Sequence, residues 1–190
     1  MAADSFCERG TLWGIIQQPM NSFSGLSFLV TAYVLAHVPG CEDFVWSMTL
    51  LALATFGMHA SGDVFMGHAD MASMFLNVVM SLVRNTGGSR EQALLAGGIV
   101  VLFCTVSPRV RHLNTFMAVT TLWILSFLPH FSTRIACGYG VFLLSLIAWI
   151  ADQHPDTCRP HSLLQGHTLW HIGSALGFIL LIGGVHLDET

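Results

Sequence analysis

The sequence predicts an all-α polytopic membrane protein, a seven-transmembrane-helix bundle forming a single domain over residues 1–190. Three observations carry this expectation. Of 190 residues, 53% are hydrophobic and only 9% are Asp, Glu, Lys or Arg, whereas a soluble domain carries about 25% charged residues. Mean hydropathy is +0.65, and the seven basic residues are all arginine. Seven mostly apolar stretches approach the roughly 17–25 residues that a bilayer core requires. They cover about 22–38, 44–60, 69–84, 91–106, 114–130, 134–151 and 166–185.

Short polar connections punctuate these stretches. Pro39-Gly40-Cys41-Glu42-Asp43 ends the first, and Asn85 to Arg90 divides the third from the fourth. Ser107-Pro108-Arg109 follows the fourth, and Asp152 to Gln165 forms the longest link. The third and fourth stretches are short for a bilayer, which suits tilted or shielded helices or helices extended by a turn. The chain leaves no room for a second domain, and no internal repeat suggests inverted halves.

With the N-terminus on side A, successive helices alternate direction and the C-terminus falls on side B. Arg9, Arg109, Arg111 and Arg159 then lie near side A; Arg84, Arg90 and Arg134 lie near side B. Such an even split leaves orientation open under the positive-inside rule. The N-terminus lacks the basic segment and apolar core of a signal peptide, so the first span is expected to direct insertion. A net charge of −4 with no basic run gives no support to nucleic-acid binding. No phosphate loop or Gly-x-Ser-x-Gly elbow is present, so neither nucleotide nor serine-hydrolase chemistry is expected.

Ionisable groups at membrane depth are costly, and by default they mark function. His59 falls near the end of the second stretch, Asp70 starts the third, and His167 and His171 open the seventh. All four therefore lie at side A. His167 and His171 are spaced i,i+4, which stacks two imidazoles on one helical face. That spacing allows both rings to bind one ion, and His59 would complete a set of three. Three protein ligands and an open position make the pattern of catalytic zinc, with Asp70 placed to bind or exchange protons with water. The same histidines at helix ends also suit contact with lipid headgroups.

The remaining histidines read differently. His37, His112, His130, His154, His161 and His186 fall in loops or at span ends, while His68 competes with His59 from the connecting loop. Trp46, Trp149 and Trp170 lie near span ends and read as interfacial anchors. Gly173 and Gly177 form a Gly-x-x-x-Gly suited to close helix packing. Five scattered cysteines give no zinc-finger spacing.

Three segments resemble the alkaline ceramidase family, within the CREST superfamily of seven-helix membrane hydrolases and adiponectin/progestin-type receptors. Phe6-Cys7-Glu8-Arg9 and Gln18-Pro19-Met20-Asn21-Ser22-Phe23-Ser24 are similar to its opening. Thr55-Phe56-Gly57-Met58-His59, ahead of Asp70-Met71, is similar to its Ser-x-x-x-His and following Asp. Gln165-Gly166-His167-Thr168-Leu169-Trp170-His171-Ile172 is close to its His-x-x-x-His. The likeness runs over most of the chain.

The resemblance implies Zn²⁺ on His59, His167 and His171, and hydrolysis of the amide of a ceramide-like membrane lipid. Asp70 would be the acid/base carboxylate. Thr55 stands where the family has Ser, and its hydroxyl would donate to the developing oxyanion. A disulfide between Cys7 and Cys158 is implied, the alternative being two free thiols. The family's Ca²⁺ site would retain Glu8, but Ser5, Gly10 and Gln18 stand where ligands are expected and only Asp4 offers a substitute. Calcium favours six to eight oxygens with charge compensation, so a weak site or none is expected. Two other readings fit the same chain: a receptor-like superfamily member with a structural zinc, and a non-enzymatic scaffold or small transporter.

Overall fold

A backbone in hydrocarbon must satisfy its own hydrogen bonds, which favours helices wherever the sequence runs apolar. The computed structural model describes residues 7–9, 12–106 and 113–188. Among these residues the chain is helical, with no strand beyond an isolated bridge between Leu12 and Ile16. The elements are α1 (Pro19–Gly25), α2 (Ser27–Leu35), α3 (Glu42–Ser61), α4 (Val64–Asn85), α5 (Arg90–Val106), α6 (Leu113–Ser126), a 3-10 turn at Leu128–His130, α7 (Thr133–Asp152) and α8 (Gly166–Asp188).

Local chemistry sets the boundaries. Gly62 ends α3 in the left-handed region, at φ 66°, which glycine adopts without a Cβ penalty. Asp63 then caps α4 by accepting from the Met66 amide at 3.0 Å. This cap starts α4 earlier than hydropathy suggests and carries His68 inside the helix. The sequence placed His68 in a connection; the structure corrects that. The expected first span is divided into α1 and α2 at Leu26. There Gly25 passes so close to Thr55 that a Cβ would lie 2.7 Å from the threonine Cγ2.

Four helices, α3, α4, α7 and the Gly166–Val185 part of α8, are long and apolar enough to cross a membrane. The chain is thus an all-helical protein with membrane-spanning character. Outward residues such as Leu143, Leu144, Ile147 and Ile150 on α7 are exposed, as a lipid-facing surface requires. Inside, Trp123 is fully buried, with ring centroids 5.2–5.3 Å from Phe127, Phe142 and Phe178.

Helices α7 and α8 approach closely because α8 presents small residues. Gly173 packs on Ser145 and Gly177 on Phe142, the use expected of Gly-x-x-x-Gly. Trp46 is exposed, as an anchor would be. Trp170 instead is buried against Phe142, with its ring 5.8 Å from Trp149. It is a core residue beside the site, which corrects the interfacial reading. The helical periodicity of α8 turns position 170 toward α7.

Replacing Gly173 with Leu should wedge α7 from α8 at a cost of about 1–3 kcal/mol, seen as a lowered thermal midpoint in detergent. Gly98→Leu faces open space and should leave the midpoint unchanged.

Candidate metal centre

His59 is buried in the last turn of α3, and His167 and His171 are buried in the first two turns of α8. Their donor nitrogens lie within 4.8 Å of one another. Among the described residues, this is the one group of three or more His, Cys, Asp or Glu side chains able to hold a metal ion. Nε2 of His59 and Nε2 of His167 are 3.2 Å apart. For a tetrahedral ion with metal–nitrogen bonds near 2.0–2.1 Å, adjacent donors would be about 3.3–3.4 Å apart. The donor set therefore fits.

Hydrogen bonds decide which nitrogens face inward. Nδ1 of His59 lies 2.7 Å from Oε1 of Gln18, and an amide oxygen only accepts. Nδ1 must therefore carry the proton, leaving the Nε2 lone pair directed at the centre. His171 repeats the arrangement, with Nδ1 3.1 Å from the Asn21 carbonyl and 2.9 Å from the Ser24 hydroxyl. A metal-ligating histidine commonly has its second N–H held in this way, which fixes both tautomer and ring orientation.

The support is itself fixed by α1. Gln17 and Gln18 donate their backbone N–H groups to the carbonyls of Ala60 and His59, at 3.0 and 3.1 Å, satisfying two carbonyls that the end of α3 leaves open. Asn21, fully buried, gives its backbone N–H to Glu8 and accepts from Thr168 Oγ1 through its side-chain oxygen at 3.1 Å. Ser27 and Thr31 bond the carbonyls of His171 and Ala175. Side-chain hydroxyls thereby tie α1 and α2 to the helix that carries two imidazoles.

Glu8 stands at the N-terminus of α1, where its two oxygens accept from the amides of Met20 and Asn21 at 2.8 and 2.9 Å. Burial pushes its carboxyl above the usual range, while these two amides favour the charge. Its observed contacts make Glu8 a helix cap, with its charge at the positive end of α1. Cys7 is disulfide-bonded to Cys158, and the Arg9 amide donates to the Pro160 carbonyl at 3.0 Å. The segment carrying Glu8 is thus fastened to the α7–α8 loop. Asp4, the one substitute ligand expected for calcium, lies outside the described residues, as do Ser5 and Gly10.

Asp70, half-buried near the start of α4, accepts a hydrogen bond from the Thr55 hydroxyl. With its proton directed to Asp70, Thr55 has none free for an oxyanion in this arrangement. This departs from the expected role of that hydroxyl. Asp70, Thr55 and His171 line one small cavity together with Trp170, Phe142, Phe178 and other apolar side chains. Its volume of about 20 Å³ is sufficient for one water.

The structure thus brings His59, His167 and His171 together, with Thr55 and Asp70 beside them. His68 remains on α4 outside the group. His37, His130, His154 and His161 lie in connections or the short turn, while His112 falls outside the described residues. Gln18, Asn21, Ser24 and Thr168 acquire positioning roles that residue type did not indicate. The i, i+3, i+6 placement of Gln18, Asn21 and Ser24, running from the N-cap of α1 to its last turn, was the available signal. Comparison with protein-family models, curated proteins and solved structures returns no match.

Gln18→Leu removes the acceptor for His59 and should weaken metal binding about 10–100-fold, measured by competition with a chromophoric chelator. Breaking the disulfide with Cys158→Ser should weaken binding in the same assay, since it frees the segment that caps α1.

Proposed function

We propose that the protein is a seven-span intramembrane hydrolase of the alkaline ceramidase type. It uses Zn²⁺ to cleave the amide of ceramide or a similar lipid, releasing a sphingoid base and a fatty acid. The supporting observation is the arrangement of three buried imidazoles around a site whose neighbouring water-sized cavity is shared by His171, Thr55 and Asp70.

His59, His167 and His171 would hold the ion as neutral ligands. Bound there, Zn²⁺ would acidify water toward a pKa of about 7 and polarise an amide carbonyl. Asp70 takes the proton from the attacking water and returns it to the leaving amine nitrogen. Thr55 holds that carboxylate in place by donating to Oδ1. Gln18 and Asn21 keep the imidazoles from rotating. Trp170, Phe142 and Phe178 exclude bulk water from the cavity, which strengthens electrostatic interactions within it.

A route for the lipid lies between α6 and α7. An apolar cleft of about 390 Å³ is lined there by Ile124, Leu128, Tyr139, Phe142 and Leu146, among others. Phe142 borders both this cleft and the cavity beside His171, so an acyl chain lying in the cleft would be parted from that cavity by this one ring. In the seven-span reading, α1 with α2, α5, and α6 with its 3-10 turn complete the bundle around the four longer helices. The Cys7–Cys158 disulfide supports a reading in which the imidazole end faces an oxidising compartment.

Purified protein should contain about one zinc per chain and release sphingoid base from ceramide in detergent micelles. A strong chelator should abolish turnover, and added zinc should restore it. His171→Ala should be inactive; turnover equal to wild type would refute the assigned centre. Asp70→Asn should lower kcat by about 10²–10⁴-fold, with Thr55→Val less impaired and Thr55→Ser close to wild type. Metal without ceramide turnover would favour a receptor-like protein with a structural ion.

A further inference from the structure

A second polar group lies toward the opposite end of α3, against α4. On α3, Asp43, Ser47, Leu51, Thr55 and His59 recur every four residues and are all buried, so they form one row along the helix. Two contacts set the register of α3 against antiparallel α4: Thr55 with Asp70, and Ser47 with Asn77. One turn beyond the second contact, Asp43 comes level with Ser81. Asp43 is 4% exposed and Ser81 1%. Oδ2 of Asp43 and Oγ of Ser81 are both buried without a hydrogen-bond partner.

The next layer supplies two more oxygens. Ser47 Oγ lies 2.6 Å from Asn77 Oδ1 and donates to it. Nδ2 of Asn77 donates to the carbonyls of Ser47 and Ser73, at 3.1 and 2.9 Å. These bonds consume both amide protons and turn the amide oxygen toward α3, with a lone pair remaining. Nearby, the Cys41 thiol is pushed up to about 12 chiefly by burial and then by Asp43 and Glu42, against an opposing pull from Arg84.

The donors are one carboxylate, two hydroxyls and one amide oxygen, all hard, with a single negative charge. Soft or borderline metals prefer nitrogen and sulfur. Calcium takes six to eight oxygens, commonly several carboxylates. A small monovalent cation matches both the charge and the donor type, and it compensates a carboxylate whose burial is otherwise unfavourable. We propose that Asp43, Ser47, Asn77 and Ser81 form a sodium-binding site between α3 and α4, remote from the imidazole centre.

The test uses the full-length protein in detergent at constant ionic strength, with Na⁺ exchanged for N-methylglucamine or K⁺. The apparent thermal midpoint should rise with Na⁺, by roughly 3–6 °C per tenfold increase above the dissociation constant. Asp43→Asn should lose this response and Ser81→Ala should weaken it, while His171→Ala should retain it. Equal midpoints in all three cations would overturn the site, as would an undiminished response in Asp43→Asn. An equal response to K⁺ would overturn the sodium assignment. If Asp43→Asn does not fold, Ser81→Ala and the wild-type titration decide, since an unchanged Ser81→Ala response also counts against the site.

Discussion

Asn21 sits where the N-terminal segment, α1 and α8 meet, and every hydrogen-bonding group it owns is committed. Its backbone amide holds Glu8, its carbonyl receives Nδ1 of His171, and its side-chain oxygen receives Thr168. Its side-chain nitrogen reaches toward Gln18 Oε1, the acceptor for His59. One buried residue therefore links the orientations of imidazoles from two helices distant in sequence. In a low-dielectric interior an unmatched polar group is expensive, so these bonds favour one arrangement strongly. The three-histidine cluster inherits its geometry from a residue outside it.

Much of this was legible in the sequence because lipid simplifies the code. Hydropathy located the helical segments, and helix direction put His59, Asp70, His167 and His171 at one depth. The i,i+4 spacing then gave a shared face for two of them. Boundaries were less accurate where polar chemistry overrode hydropathy. Asp63 starts α4 before its apolar run begins, and Gly25 breaks the first helix where it passes Thr55. Trp170 was misplaced for a related reason: depth along the bilayer says nothing about which way a side chain points around the helix.

The positioning residues show a different limit. Gln18, Asn21 and Ser24 form part of the segment that resembles alkaline ceramidases, yet their types do not announce a role. Amide and hydroxyl groups cap, pack and bridge in every helical protein. Only the approach of α1 to α3 and α8 shows that all three face the outer nitrogens of metal-ligand candidates. Thr55 illustrates the same point, because its single proton goes to Asp70. Pairwise geometry, which composition cannot encode, separates a carboxylate holder from an oxyanion donor.

The disulfide also bears on the order in which the molecule is assembled. Cys7 and Cys158 are separated by 151 positions, and two of the three imidazoles come later still, from α8. A ribosome-bound chain lacking α8 has the two cysteines but not the full set of imidazoles. The cluster can therefore close only once α8 has been made, after the earlier helices. Truncated chains would offer a lone His59 to the cell's metals, and that is too few donors to retain one.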